Sequence, residues 1–475
     1  MSTLSSGSLS SPQEIVEAAL SAATTDGTIV IVTDRSEANL RWASSSLTTN
    51  GEMGSRSVTV ISTVGVGGGT AAGVVGASIA DVADVRALVE AAEASARGSE
   101  AAADAAPLIT PGEAGSGSDF SLAPEPTSIG AFAGLAHDLG EVFAASGPAR
   151  QHFGFAEQIV DTTYLGSSTG LRLRHVQPTG RLEMNAKNAD WSSSAYLGFS
   201  VRDPSEADAL AADAQLAQRL GWAERSIDLP AGRYEAILPP TCLADLLIYA
   251  TWEAEAKSTD EGRSAYSRKG GGARIGDRFA ALPLDLYSDS THAGIQSAPF
   301  AVVTASTSSA SVFDNGLPLG RQDILRGGEL VSLAGSRAYA ATAAAAGSGT
   351  PVHASGDNLV FEQPGATGSL DDLVASTERG LLLATMWYIR VVDPQTLLLT
   401  GLTRDGIYLV EGGEVQGAVN NFRWNESPLD VLGRITEVGA SERCYPREWG
   451  DYFTRAVVPP VRVADYNMSS VSQAR

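Results

Sequence analysis

Apolar residues along the chain alternate between helical and strand spacing. From Pro12 to Ala23 they recur at helical spacing, with Ile15, Val16, Ala19 and Leu20 on one face. Ser11 can cap this segment, Pro12 suits the first helical position, and Glu14 completes a capping box with Ser11. Thr28 to Thr33 (TIVIVT) is a β-branched run that predicts a strand. Leu40 to Leu47 and Ser57 to Val66 predict two more, with Asn50-Gly51 as the turn between them. Asp81 to Arg97 returns to helical spacing through Val82, Val85, Leu88, Val89 and Ala92. Ser99 to Ser128 is rich in Ala, Gly, Ser, Pro and acidic residues and predicts a loop or linker. A helix over Ser128 to Ala145 follows. Strands are then expected at Phe155 to Thr163, Ser168 to His175 and Gly180 to Ala186, with Tyr164 to Ser167 as a turn, and a helix over Glu206 to Gly221.

After Leu229 the pattern changes. Gly232 to Leu238 (GRYEAIL) reads as a strand ending in Pro239-Pro240, and a helix runs from Thr241 to about Lys257. Leu243, Leu246, Leu247 and Ala250 form its core face, Thr241 is the expected cap and Asp245 lies near the positive end of its dipole. Ile248, Tyr249, Thr251, Trp252 and Glu253 point to the other side. Beyond Leu282 the chain is mostly short strands with turn signals at Asp314-Asn315-Gly316, Gly327-Gly328 and Gly412-Gly413. A short helix is expected at Ser369 to Arg379, flanked by strands at Asn358 to Phe361 and Trp387 to Val392. The expected class is α+β. It comprises an N-terminal α/β domain (1–98), a linker (99–127), a middle α/β part (128–225) and a strand-rich C-terminal domain (226–475).

The 475 residues exceed the ~250–300 at which single cores stop growing. A net charge of -22 argues against a phosphate-backbone binder and against docking on an anionic membrane. Met1 to Gln13 has neither a basic n-region nor an apolar h-region, and no apolar run reaches the ~18 residues of a membrane span. Two distant cysteines, Cys242 and Cys444, make no disulfide framework. The expected setting is the cytoplasm.

Local chemical motifs are sparse. The five histidines (His137, His152, His175, His292 and His353) are scattered, and neither cysteine has a metal-ligand neighbour. Gly67, Gly69 and Ala72 fit a loose dinucleotide loop, but Asp84 and Glu90 fall in a predicted helix, so the run reads as a tight turn or edge strand. Gly270-Gly271-Gly272 could hold an anion but reads as a mobile loop over a cleft. Gly166 to Gly170 (GSSTG) matches a nucleophile elbow at Ser168, yet it joins two expected strands and reads as a hairpin turn. Cys242 sits near a helix N-terminus, where thiols can be activated, or is a small buried residue. A triad assembled by folding leaves no local signature, so Ser168, Cys242 and His292 remain candidates.

Several stretches in order resemble the TldD/TldE (PmbA) family. They are ANLRWASSSLTTNG (Ala38 to Gly51), TTYLGSSTGLRLRH (Thr162 to His175), FDNGLPLGRQDILRGGEL (Phe313 to Leu330), Ser376 to Val415, and VVPPVRVADYNMSS (Val457 to Ser470). The resemblance implies a two-subunit peptidase whose TldD-type half carries an HExxxH helix and a late-strand Cys around zinc. Such a site needs three protein ligands and an open position. Here the matching stretch is LLIYATWE, Leu246 to Glu253. Ile248 and Glu253 stand at the two His positions, Tyr249 at the Glu position, and Arg404 at the Cys position. The resemblance therefore implies a TldE-type, metal-free subunit: no cofactor in this chain, zinc in a TldD-like partner, and a peptide substrate. Tyr249, Trp252, Trp387, Tyr388 and Arg404 are expected to line the interface or cavity, with ordinary packing as the alternative. A stand-alone peptidase with a site not visible as a motif, or a peptide-binding protein without catalysis, are the other readings.

Overall fold

The computed structural model describes residues 10–79, 81–450 and 455–472, and they form an α+β fold. The capping box forms as expected and starts α1 (Pro12–Ala22). A six-stranded sheet follows, built from β1 (Gly27–Ala43), β2 (Ser46–Val66), β3 (Gly69–Ala77), β4 (Arg150–Ser167), β5 (Arg172–Asn188) and β6 (Ser194–Val201). Its order is β3-β2-β1-β4-β5-β6 and every pairing is antiparallel. Because β1 pairs with β4 from Ile29 to Trp42, the residues before and after segment 99–127 share one sheet.

Strand periodicity explains the burial. Val30 and Val32 face α1 and α2 (Val85–Gly98). On the same side of β1, Ala38, Leu40 and Trp42 face α3 (Ala133–Ser146) and α4 (Ala209–Trp222). Ile29 and Ile31 face the other way, against Ile109 of segment 99–127 and against Phe300, Val312 and Phe313. TIVIVT is thus apolar throughout because both faces of the sheet are covered there. Segment 99–127, expected as a linker, has no helix or long strand but is seated: Ser118 donates its amide to the Arg174 carbonyl at 2.8 Å.

Two turns move. β1 continues to Ala43 so that Trp42 stays under the helices, and the chain reverses at Ser44-Ser45, with φ of 48° and 57°, instead of at Asn50-Gly51, which lies inside β2. Tyr164 to Ser167, expected as a turn, completes β4, and the two strands expected across Ser168 to Ala186 are one, β5. Pro178 does not break β5, because β6 begins its pairing only at Gly180 and leaves that stretch of edge open.

The C-terminal part holds β7 (Ser226–Ile227), β8 (Gly232–Leu238), α5 (Pro240–Glu253), α6 (Ala256–Asp260) and two larger sheets. One sheet has β8 at its centre, between strands Val461–Met468 and Arg379–Asp393, and continues through Leu398–Glu411 and Glu414–Val419 to β7. The other contains Asp285–Asp289, Arg321–Arg326, Leu359–Glu362, Glu442–Cys444 and Ala456–Val458. Helix α5 packs against both sheets, which is why Cys242 to Ala250 are all buried and no polar face survives. Among the described residues, no helix is long and apolar enough to cross a membrane.

Candidate functional site

Helix α5 starts behind Pro239 without a side-chain cap, and Thr241 instead donates its hydroxyl to the Tyr445 carbonyl at 2.6 Å. The division of α5 into a core face and a free face does not hold. Ile248 is as buried as Leu243, and Tyr249 is nearly so, because a second sheet covers the side read as free. Asp245 does not serve the exposed first turn either. It is fully buried, accepts the Glu448 amide at 3.1 Å on one oxygen and has no partner on the other. Burial pushes its carboxyl well above the ordinary range, toward the neutral acid.

Tyr249 donates its hydroxyl to the Ile389 carbonyl at 2.9 Å, fastening α5 to strand Arg379–Asp393. Burial raises its phenol to about 12. Its ring meets Trp252 at 5.7 Å and Trp449 at 5.5 Å, and Trp252 meets Trp449 at 4.7 Å. Trp252 is 45% exposed, so the cluster opens to the surface. Glu253 turns to Ser264 and the Ala265 amide, and burial raises its carboxyl despite those hydrogen bonds.

Beside this cluster both neighbouring strands are irregular. Strand Arg379–Asp393 loses register between Trp387 and Arg390, where Tyr388 takes a φ of 52°. Glu448 holds that bulge: its carboxylate accepts the Tyr388 amide at 3.1 Å, the Ile389 amide at 3.0 Å and the Arg390 guanidinium at 3.2 Å. On the next strand Asp405 has a φ of 54°. Its carboxylate pairs with Arg447, which also donates to Thr385 at 2.8 Å and stacks over Tyr196 at 3.7 Å. Arg404 and Arg447 both lie over the Trp387 ring, at 5.6 and 5.1 Å. Non-glycine residues at positive φ are strained and tend to persist where surroundings fix them.

The structure thus joins Tyr249 to Trp252, and Trp387 to Tyr388 and Arg404, with Ile389 and Glu448 between the two groups. The sequence reading missed Asp245 as a buried acid, and it missed Arg447, Glu448 and Trp449. The signal available was the unusual density of charge and aromatic character in Tyr445 to Trp449 (YPREW).

The four positions matched to a zinc site do not suit that ion. Ile248 offers no donor. Tyr249 is a neutral phenol already bonded to a carbonyl, and the Glu253 carboxyl is engaged elsewhere. Arg404 is a cation paired with Asp405 at 3.7 Å. Among the described residues no group of three His, Cys, Asp or Glu could hold a metal ion.

The other candidates are structural in their contacts. The Ser168 hydroxyl, in the turn between β4 and β5, accepts the Thr28 amide of β1 at 3.0 Å. Cys242 and Cys444 are buried, and burial pushes both thiols up, away from the reactive thiolate. His292 lies beside the Tyr287 ring at 6.3 Å. Gly67 and Gly68 make the two-residue β2–β3 hairpin, with φ of 54° and 85°. Gly272 borders an open groove of about 750 Å³ with Arg268 and Tyr339.

The family model for the PmbA/TldA metallopeptidase C-terminal domain matches residues 231–470. No curated protein matches the chain. Among solved structures, TldE from Thermococcus kodakarensis superposes with a TM-score of 0.76 at 13% identity, over 96% of this chain and 99% of that one. A protein described as a modulator of DNA gyrase from Thermotoga maritima gives 0.73 at 17% identity, over 93% and 95%. Another so described, from Bacteroides thetaiotaomicron, gives 0.73 at 14%, over 97% and 98%. At these identities the likeness speaks for the fold. With the family model covering the two C-terminal sheets and the helix between them, this chain belongs to the PmbA/TldD metallopeptidase family.

Proposed function

We propose that this chain is the non-catalytic, TldE-like half of a two-chain zinc metallopeptidase of the cytoplasm that acts on unfolded or small peptides. In this reading a TldD-like partner carries the zinc, and this chain carries none. The observation that supports it is the set Ile248, Tyr249, Glu253 and Arg404, each tied into packing, a hydrogen bond or an ion pair that a metal ligand could not keep. The role left to the chain is architectural: it shapes the cavity around the partner's metal and admits extended peptides. An exposed apolar patch favours a partner. Trp252, Tyr388, Val391 and Val392 are between 45% and 55% exposed on one region of α5 and strand Arg379–Asp393. Large apolar patches on soluble chains mark interaction sites. The net charge of -22 speaks against nucleic acid as that partner.

The test is co-expression with an HExxxH-bearing TldD-like chain from the same genome. The expected result is a co-purifying complex that contains zinc and cleaves unfolded peptides, while this chain alone does neither. A lone chain that binds stoichiometric metal and loses peptidase activity on chelation would overturn the proposal.

A further inference from the structure

A cavity of about 450 Å³ lies between α4 and the face of the C-terminal sheet that points away from α5. Trp222, Leu382 and Tyr408 make its apolar wall, and the rings of Trp222 and Tyr408 meet edge to face at 5.1 Å. Gln215 and Gln218 add polar rim. Three formally charged side chains also line it: one cation, Arg219 from α4, and two carboxylates, Glu442 from strand Glu442–Cys444 and Asp371. Arg219 is largely enclosed, and its only side-chain hydrogen bond among the described residues runs from Nη1 to the Tyr196 carbonyl at 2.7 Å. No described carboxylate forms an ion pair with it, although most arginines of this chain have one. Glu442 likewise has no described cation. Burial pushes the Arg219 guanidinium below its ordinary range, as expected of a charge removed from water without a counter-ion, whereas Glu442 stands exposed at the rim.

An uncompensated arginine at the boundary of two packed units costs stability unless something else gains from it. Small-molecule sites favour such boundaries, with apolar walls and a few convergent polar groups in volumes of roughly 300–1,000 Å³. We propose that this cavity binds a small zwitterion with an apolar side chain, a free amino acid or a dipeptide. Arg219 receives its carboxylate, Glu442 its ammonium, and the Trp222–Tyr408 wall its side chain. The guanidinium fork suits a carboxylate geometrically, and both partners gain charge-assisted bonds.

Isothermal titration calorimetry on the full chain tests this with L-leucine, L-phenylalanine and leucyl-phenylalanine, beside leucinamide (no carboxylate) and N-acetylleucine (no ammonium). Saturable binding is expected for at least one zwitterion, with a single residue or the dipeptide preferred according to length. Arg219→Gln should weaken it on the order of tenfold to a hundredfold. Glu442→Gln, at an exposed position where folding is not at stake, should weaken the zwitterion on the order of tenfold and leave N-acetylleucine unchanged. Absence of saturable binding by the unaltered chain overturns the proposal, as does equal binding of zwitterion and N-acetylleucine before and after Glu442→Gln. No partner chain is needed, so the outcome is independent of the subunit reading.

Discussion

Asp245→Asn isolates the energetic consequence of burying a carboxyl under α5. Asp245 is fully enclosed, accepts one amide at 3.1 Å and leaves its second oxygen without a partner, and burial raises its pKa well above the usual value. The folded state therefore holds this proton at pH values where the unfolded chain, with a carboxyl pKa of ~3.9, has released it. Stability from the neutral acid is complete below that value. It falls as pH rises, by about 1.4 kcal/mol per unit, until the raised folded-state pKa is reached. Asparagine keeps an acceptor for the Glu448 amide and carries no titrating proton. The difference in unfolding free energy between Asp245→Asn and the unaltered chain should thus climb in the variant's favour at about 1.4 kcal/mol per pH unit and then level off. Urea unfolding followed by tryptophan fluorescence at half-unit steps from pH 5 to 8 measures that difference directly. A difference independent of pH would refute the assignment of a neutral, buried Asp245.

Tyr249→Phe should destabilise by about 1 kcal/mol, because the Ile389 carbonyl loses its donor in a buried setting; denaturant titration checks this. Gly73→Ala should cost about 2–3 kcal/mol, since a Cβ there would collide with the Ala92 carbonyl and the Ala96 amide where β3 crosses α2, and thermal unfolding reads it. Trp252→Ala should shift stability by only about 1 kcal/mol, as the ring is 45% exposed, yet weaken capture of a TldD-like partner by on the order of tenfold or more in a titration. Equal partner affinity in the variant would remove this patch from the interface.

Much of the architecture is written locally. The Ser11–Glu14 box starts α1 where it stands in sequence, GRYEAIL is β8 residue for residue, and the Gly67-Gly68 hairpin needs only two residues that accept positive φ. Those features depend on neighbours within a few positions, so spacing alone predicts them. The residue types at Ile248, Tyr249, Glu253 and Arg404, the positions that the resemblance matches to a zinc site, are likewise read from the sequence without coordinates.

What only tertiary structure decided concerns which faces are covered and which distant groups meet. The helix-period pattern of α5 assigns Ile248 and Tyr249 to a free side, but a second sheet, assembled from separate strands that lie between Asp285 and Val458, closes over it. The bulge at Tyr388 is held by Glu448, sixty residues on, and Arg447 joins Tyr196 to Asp405 across the two halves of the chain. Arg219 and Glu442 line one cavity although 223 positions separate them, by subtraction of their numbers. Periodicity records how one element alternates between apolar and polar, whereas burial and charge pairing depend on what other elements bring to it, and that information is non-local by nature.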